Sequence, residues 1–297
     1  MTTGVGELRL QQLDRAGIQR WLPDLSSWLL PAHAPYGVQH TWPQLYRSDG
    51  RGEFLGLFGD DQLVSHVAWR LVGAHGERGP FRLALLGSVA TAPHVRGRGH
   101  ASAVLNAALL RCRATGVDAV WLWAERPELY ARAGFVAGSE ETMTVLAQRP
   151  HPDTDGVRPA TVEDHAALHA LHQHKPWRVE RSPGEMSLLL TTPGLSVMLL
   201  EREHRIVAYA CCGKGSDLQG WWHEVGGRDA DVAALLPGAM ARLGQRTAPL
   251  LLPPYRTQLL PALHLQAGEV AVLAGPMVLA FTAAGRQHGF VDGLDSV

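Results

Sequence analysis

Cysteine is scarce in this chain: Cys112, Cys211 and Cys212 are the three among 297 residues, too few and too unevenly placed for a disulfide framework. Apolar runs are short, and none reaches the roughly 18 residues that a membrane-spanning helix requires. The start, Met1-Thr2-Thr3-Gly4-Val5-Gly6-Glu7, has no basic segment followed by an apolar stretch, which argues against a signal peptide. Charge is sparse at 19% and almost balanced at a net −1, so no global field draws the protein toward nucleic acid or an anionic membrane. These absences predict a soluble, cytoplasmic protein without a nucleic-acid or membrane partner. They leave its oligomeric state open.

What is present is enough apolar residue, 46%, to fill one large domain or two of about 150 residues. The second option fits, because the chain reads as one plan written twice. Leu8–Leu10 and Val157–Pro159 are short strands, each followed by a capped helix start, and Thr161-x-x-Asp164 has capping-box spacing. Glu53–Phe58 and Gln62–Trp69, joined by Gly59-Asp60-Asp61, read as a hairpin, with Val197–Leu200 and Arg205–Ala210 as the counterpart. Two one-sided helices follow in the same order: one carries Ala101, Val104, Leu105, Ala108, Leu109 and Cys112, the other Val232, Leu235, Leu236, Ala239, Met240 and Leu243. Three matched elements argue for a duplication. Residues 149–156, with Pro150, Pro152 and Gly156 and no apolar side chain, have linker composition. The predicted division is therefore 1–148, a linker over 149–156, and 157–297.

The densest signal lies between the apolar strand Leu83–Val89 and the helix that begins near Ala101. Ser88-Val89-Ala90-Thr91-Ala92-Pro93-His94-Val95-Arg96-Gly97-Arg98-Gly99-His100-Ala101 is strand, glycine- and arginine-rich loop, and helix start. Such a loop aims unpaired backbone N–H groups at an anion. Gly97 and Gly99 permit close backbone approach, and Arg96 and Arg98 add charge.

Arg96-x-x-Gly99-x-Ala101 resembles the Arg/Gln-x-x-Gly-x-Gly/Ala signature of the Gcn5-related N-acetyltransferases. Leu129-Tyr130-Ala131-Arg132-Ala133-Gly134-Phe135 is similar to that family's second signature, and the two stand in the family's order. The resemblance covers about residues 5–147. It implies an α/β fold of two tandem acetyltransferase-like domains, each a mixed, mostly antiparallel sheet flanked by helices. It also implies acetyl-coenzyme A as cosubstrate, held by Val89, Ala90, Thr91, Arg96, Gly97, Arg98, Gly99, His100, Ala101 and Ser102. The reaction implied is direct acetyl transfer to the amine of a small molecule or peptide.

In that reaction Tyr130 is the expected general acid, a phenol matched in basicity to the departing thiolate; packing is its alternative role. The base is not legible: Glu125, His66, His40 and Glu53 compete with a water chain or an amine that is already neutral. In the second half, Arg228-Asp229-Ala230-Asp231 places carboxylates where a phosphate would sit, and no Tyr-x-Arg-x-Gly-Phe segment follows. That half is expected to be a degenerate copy, structural or forming one wall of the acceptor site. Two other functions stay open: a non-catalytic acyl-coenzyme A sensor, and an aminoacyl transferase, for which the chain lacks a basic stripe for tRNA.

Other clusters carry less. His165, His169 and His172 share a helix face by spacing, but no Cys, Asp or Glu completes a zinc pattern, and no metal is expected. His33, Tyr36, His40 and Trp42, and also His174–Arg178, suit an acceptor pocket or ordinary packing. Cys211 and Cys212 should point to opposite faces of a strand, and Trp121 and Trp123 to the same face. Asp49 is the one carboxylate between Ser26 and Asp49, which disfavours a polycationic acceptor.

Overall fold

Two αL residues at each hairpin tip set the strand pairing that organises both halves. Asp60 and Asp61 (φ 50° and 57°) and Glu203 and His204 (φ 48° and 61°) form tight two-residue turns whose twist matches that of the flanking strands. The protein, described here as a computed structural model, is placed over residues 7–149, 152–265 and 269–297. Its strands in chain order are β1 (Arg9–Leu13), β2 (Glu53–Gly59), β3 (Gln62–Gly76), β4 (Gly79–Thr91), β5 (Ala119–Leu122), β6 (Val136–Ala137), β7 (Glu141–Ala147) and β8 (Val157–Pro159). They continue as β9 (Arg178–Val179), β10 (Ser196–Arg202), β11 (Arg205–Lys214), β12 (Asp217–Gly227), β13 (Thr247–Leu252), β14 (Val270–Leu273) and β15 (Met277–Ala280). The helices are α1 (Arg15–Gln19), α2 (Leu22–Leu29), α3 (Val38–Thr41), α4 (Pro43–Tyr46), α5 (His100–Ala114), α6 (Pro127–Ala131), α7 (His165–Gln173), α8 (Pro183–Leu190), α9 (Asp229–Arg242) and α10 (Leu259–Ala262).

One sheet runs β1-β2-β3-β4-β5-β15-β6, with β9 paired to the far end of β3, and the other runs β14-β7-β13-β12-β11-β10-β8. Both are mixed. Neighbouring strands are antiparallel except for β4–β5 and β12–β13, which are parallel. The repeated plan is visible in three dimensions. The pair β2–β3 matches β10–β11, and α5 packs its Val104, Leu105, Ala108, Leu109 and Cys112 side on the first sheet as α9 packs Val232, Leu235, Leu236 and Ala239 on the second. The Thr161–Asp164 capping box is formed. Cys211 and Cys212 fall in different cores, and Trp121 and Trp123 share one.

The strands do not all stay on their own side of the 149–156 segment. β7 precedes it yet pairs with β13 and β14 of the second sheet. β15 follows it yet lies between β5 and β6 of the first. Each half thus lends the other a strand for the edge that a splayed parallel pair would otherwise leave bare. Sequence alternation defines a strand's two faces but not which open edge it joins.

Segment 290–297 is threaded between the halves and is largely buried. It carries two fully buried carboxylates into a network of charge. Arg181 bonds both carboxylate oxygens of Glu224 at 2.8 Å and Asp295 at 2.5 Å. Arg70 reaches Asp295 at 2.5 Å, and Lys175 bonds Glu224 at 3.2 Å and Asp292 at 2.9 Å. Tyr209 donates to Glu224 at 2.7 Å. Arg70 comes from β3 and Asp295 from the threaded segment, so these bonds join the two halves through their centre.

Three buried histidines are held neutral in the same region or just beside it. Burial pushes His66, His172 and His223 each down to about 4, below the value near 6.5 expected of an unfolded chain. Between those values the unfolded chain binds protons that the folded one refuses, so stability is complete above about pH 6.5 and falls as the pH drops toward 4. Asp292, pushed up to about 6 by burial, opposes this with a single proton. A urea midpoint clearly lower at pH 5 than at pH 7 is the expected result, since each net proton is worth about 1.4 kcal/mol per pH unit. Equal midpoints would show that these imidazoles are not buried neutral.

Candidate active site

The site is made by a strand pair that parts. β4 and β5 are paired over Leu83–Leu85 and Ala119–Trp121, and beyond Leu85 the β5-facing edge of β4 has no strand partner among the described residues as far as Thr91. On its other edge β4 carries a bulge. His66 pairs with Ala90 and Ala68 with Gly87, so Val67 alone faces two residues, Ser88 and Val89. Ser88 takes the extra turn with φ 53°. A bulge bends its strand and re-aims the local backbone N–H and C=O groups, here at the point where the gap opens.

Side chains brace this bend. His66 Nδ1 lies 3.0 Å from the Ser88 carbonyl oxygen; a carbonyl only accepts, so Nδ1 carries the imidazole proton. The ring packs beside the stacked pair Tyr46 and Phe54, 6.2 Å from each between ring centres. Ser65 donates to the Ala90 carbonyl at 2.8 Å and meets the Thr91 hydroxyl at 2.9 Å. On the same stretch a Cβ at Gly87 would collide with the Val297 backbone, so glycine is what allows segment 290–297 to cross there.

Past Thr91 a single 3-10 turn, Pro93–Val95, buries Val95 and leads into the glycine loop. Gly97 and Gly99 have φ of 80° and 82° with open space on the side where a Cβ would project, the conformation for which glycine carries no steric cost. Gly99 is the N-cap of α5 and has no side chain to cap it, leaving the first N–H groups of the helix without intrahelical partners. Arg96 and Arg98 are exposed around this loop, and Arg96 Nε also returns to the Thr91 carbonyl at 3.1 Å.

Of the residues expected to hold the cosubstrate, Val89, Thr91, Ala101 and Ser102 are half-buried beside the gap or the helix start. Ala90 and His100 point their side chains into the protein, so only their backbones face the site. Tyr130 stands on α6, edge-on to Phe135 at 6.0 Å between ring centres, and shares an apolar core with Val89 and Ala92. Burial, and next the charge of Glu125, push its phenol up to about 12, so it keeps its proton across the physiological range.

The four base candidates scatter. His66 is fully buried and committed to Ser88, and its depressed pKa makes it a poor proton acceptor. His40 is exposed on α3. Burial raises the Glu53 carboxyl, and Glu125 is exposed near Tyr130. Sequence reasoning missed Ser88 as the bulge residue and His66 as its brace.

The remaining clusters resolve into separate contacts. His165 pairs with Ser187, His169 with the Arg181 carbonyl and His172 with the Val179 carbonyl, so the three imidazoles do not converge. His172, Glu224 and Asp292 lie within metal-ligand distance of one another, but the Lys175 ammonium sits on both carboxylates and takes the place of a cation. The loop with Tyr36 and Thr41 is met by the β11–β12 hairpin: the Ser216 hydroxyl donates to the Tyr36 carbonyl at 2.7 Å and accepts from the Tyr36 N–H, and the Ser216 N–H donates to the Thr41 hydroxyl. The β11–β12 hairpin of the second half therefore packs against this first-half loop.

Its own counterpart of the cradle differs. β12 and β13 touch at one parallel pair, Trp222 and Leu250, and α9 begins directly after Arg228 without a glycine loop. The Arg256 guanidinium enters the parted strands and donates to the Val225 and Gly227 carbonyls at 3.2 and 2.9 Å. Asp229 and Asp231, expected to repel a phosphate, are each held by arginines: Asp229 by Arg256 at 2.7 Å, Asp231 by Arg202 and Arg228 at 3.0 and 2.8 Å. The arginine fills this gap, and the two carboxylates beside it are neutralised.

Comparison with known proteins agrees with this geometry. Residues 30–138 match the family model described as an acetyltransferase (GNAT) domain. The chain is similar to a GCN5-related N-acetyltransferase from Kribbella flavida, with a TM-score of 0.70 at 18% identity, covering 96% of this chain and 74% of that one. It is also similar to a GCN5-related N-acetyltransferase from Anabaena variabilis, with a TM-score of 0.69 at 13% identity over 94% of this chain and 74% of that one. A third is Saccharomyces cerevisiae N-myristoyltransferase with bound myristoyl-CoA, with a TM-score of 0.60 at 8% identity over 91% and 81% of the two chains. At these identities the likeness is one of fold. No curated protein matches the sequence. Among the described residues no helix is long and apolar enough to cross a membrane. Residues 30–138 thus resemble a GNAT acetyltransferase domain, and the chain as a whole shares the α/β fold of these solved structures.

Proposed function

We propose that the protein is an acetyl-coenzyme A-dependent N-acetyltransferase acting on a primary amine of a small molecule or peptide, with Tyr130 as general acid. The observation that carries this reading is the continuous path from an open strand edge to an uncapped helix. The unpaired edge of β4 from Leu86 to Thr91 leads straight into the loop of Arg96, Gly97, Arg98 and Gly99. Backbone groups of Val89–Thr91 would pair with the pantetheine arm as an added strand, and an N–H in that stretch would polarise the thioester carbonyl. The pyrophosphate would rest on the N–H groups of α5, with Arg96 and Arg98 beside it.

Bond making is then simple. The amine nitrogen attacks the acetyl carbon in its neutral form, the carbon–sulfur bond breaks, and Tyr130 gives its proton to the departing thiolate. The nitrogen's surplus proton passes to water, which returns one to the Tyr130 phenolate, so no dedicated base is needed. The first-half loops hold few carboxylates, so the acceptor is not expected to be a polycation.

Isothermal titration of acetyl-coenzyme A tests the cradle. One-to-one binding by the native chain, weakened at least tenfold in an Arg96→Ala, Arg98→Ala variant, is the expected outcome, because each charge-assisted contact is worth about 1.5–3 kcal/mol. Absence of binding by the native chain would sink the proposal.

A further inference from the structure

Two alternate carbonyls of β4, at the point where it parts from β5, are held by adjacent side chains of β3. The imidazole Nδ1 of His66 donates to the Ser88 carbonyl at 3.0 Å, and the Ser65 hydroxyl donates to the Ala90 carbonyl at 2.8 Å. No peptide bond among the described residues is cis. Each held carbonyl therefore fixes the N–H that follows it, on the opposite side of one planar unit. Ser88 aims the Val89 N–H, and Ala90 the Thr91 N–H, away from β3. On β4 that direction is toward the gap left by β5.

The link to Ser88 is made at a local cost in stability. Ser88 holds a φ of 53°, a conformation that disfavours any residue with a side chain. His66 is fully buried, and its Nε2 has no hydrogen-bond partner, which leaves a polar atom unmet. Tyr46 and Phe54, stacked on each other at 5.4 Å between ring centres, form the nest beside the imidazole. An apolar ring would suit that nest better, so packing alone does not account for a histidine. What histidine adds is the Nδ1–H on Ser88. Burial pushes its pKa down to about 4, so the ring is neutral and its one proton lies on that bond. Strain that is held in place by its surroundings points to a use at the site.

We propose that His66 is a positioning residue for acetyl transfer: by holding the Ser88 carbonyl it aims the Val89 N–H into the gap, where that N–H polarises the thioester carbonyl. The acetyl oxygen gains negative charge as the amine attacks, and a donor already in place stabilises it without reorganisation. His66 acts only through the Ser88–Val89 peptide. This role rests on the acetyl-transfer reading of the site.

Isotope-edited infrared spectroscopy of acetyl-coenzyme A, labelled with carbon-13 at the thioester carbonyl, reads the polarisation and needs no acceptor. In the native chain the bound carbonyl should absorb at lower frequency than the free one. His66→Phe keeps a ring in the nest and removes the donor, and His66→Gln carries its amide nitrogen out to the place of Nε2, past Ser88. In both, the stretch should return toward the free value. Turnover with a primary amine should fall at least about tenfold, since outright loss of one such donor costs about 10²–10³, with acetyl-coenzyme A affinity kept within about twofold. His66→Asn puts its amide nitrogen where Nδ1 stands, and should recover the shifted stretch and most of the turnover. Urea midpoints show which variants fold, and the Asn and Gln pair decides the matter if the Phe variant does not. A native stretch and kcat in folded His66→Phe or His66→Gln, or His66→Asn no better than His66→Gln, would overturn the role of His66 and leave acetyl transfer standing. An unshifted stretch in the native chain with the cosubstrate bound would overturn it too, by removing the polarising N–H. Failure of the native chain to bind acetyl-coenzyme A would instead remove the reading beneath it.

Discussion

Replacing Arg181 by alanine is expected to cost about 3–5 kcal/mol of folding stability, the usual consequence of removing one partner from a buried ionic cluster. The guanidinium is fully buried and makes bonds to Glu224 and to Asp295. Without it, two carboxylates without solvent contact would keep Lys175 and Arg70 as their cations, with the Tyr209 hydroxyl on Glu224. Glu224 is kept well below the usual carboxylate range by the charges of Arg181 and Lys175, which outweigh its burial, so loss of Arg181 removes the first of these. For a chain of this size the change corresponds to a fall in Tm on the order of 10 °C.

The location of Arg181 sharpens this expectation. It stands between β9, paired to the first sheet, and α8 of the second half, and it grips the segment that runs between them. Arg181→Lys keeps the charge but loses the fork that meets Glu224 on both oxygens, so it should fall between alanine and the native chain. Urea denaturation at pH 7 separates the three. A loss below about 1 kcal/mol for Arg181→Ala would mean that the cluster is hydrated and that the halves are joined chiefly by apolar contact.

None of that cluster could be read from the sequence. Arg70, Arg181, Glu224 and Asp295 are far apart along the chain, and each alone reads as a surface charge. Local features were legible because their physics is local: the α5 periodicity, the two hairpins, the glycine loop and the capping box at Thr161. The bulge at Ser88 was not, since one surplus residue is a property of register between β3 and β4 and leaves no mark on either strand alone. The exchange of β7 and β15 escaped for the same reason, because edge choice is decided by what else lies open. Asp229 and Asp231 read as a source of repulsion until Arg202, Arg228 and Arg256 were found against them. A degenerate second half was expected from those aspartates and from the absent Tyr-x-Arg-x-Gly-Phe segment, while the arginine that enters its parted strands came from beyond β13, outside any motif.

Tyr130→Phe is expected to lower kcat by about 10²–10⁴-fold, the range for loss of a positioned general acid, while leaving acetyl-coenzyme A affinity within about twofold. The substitution keeps the ring that stands edge-on to Phe135 and deletes only the hydroxyl, so a purely packing role would leave turnover nearly intact. Because burial and Glu125 raise the phenol to about 12, the native enzyme should show no alkaline loss of activity from this group below about pH 10. Glu125→Gln should lower the phenol's pKa without touching the cradle, bringing an alkaline limb into view earlier in the profile while Tyr130→Phe shows none. Turnover is followed as free thiol released from acetyl-coenzyme A against a panel of primary amines, and affinity by titration. Loss of turnover with binding retained would also dispose of the sensor reading, since a protein that only registers the acyl thioester has no use for the proton. A kcat within threefold of native would remove Tyr130 from the chemistry and leave the thiolate to be protonated by water.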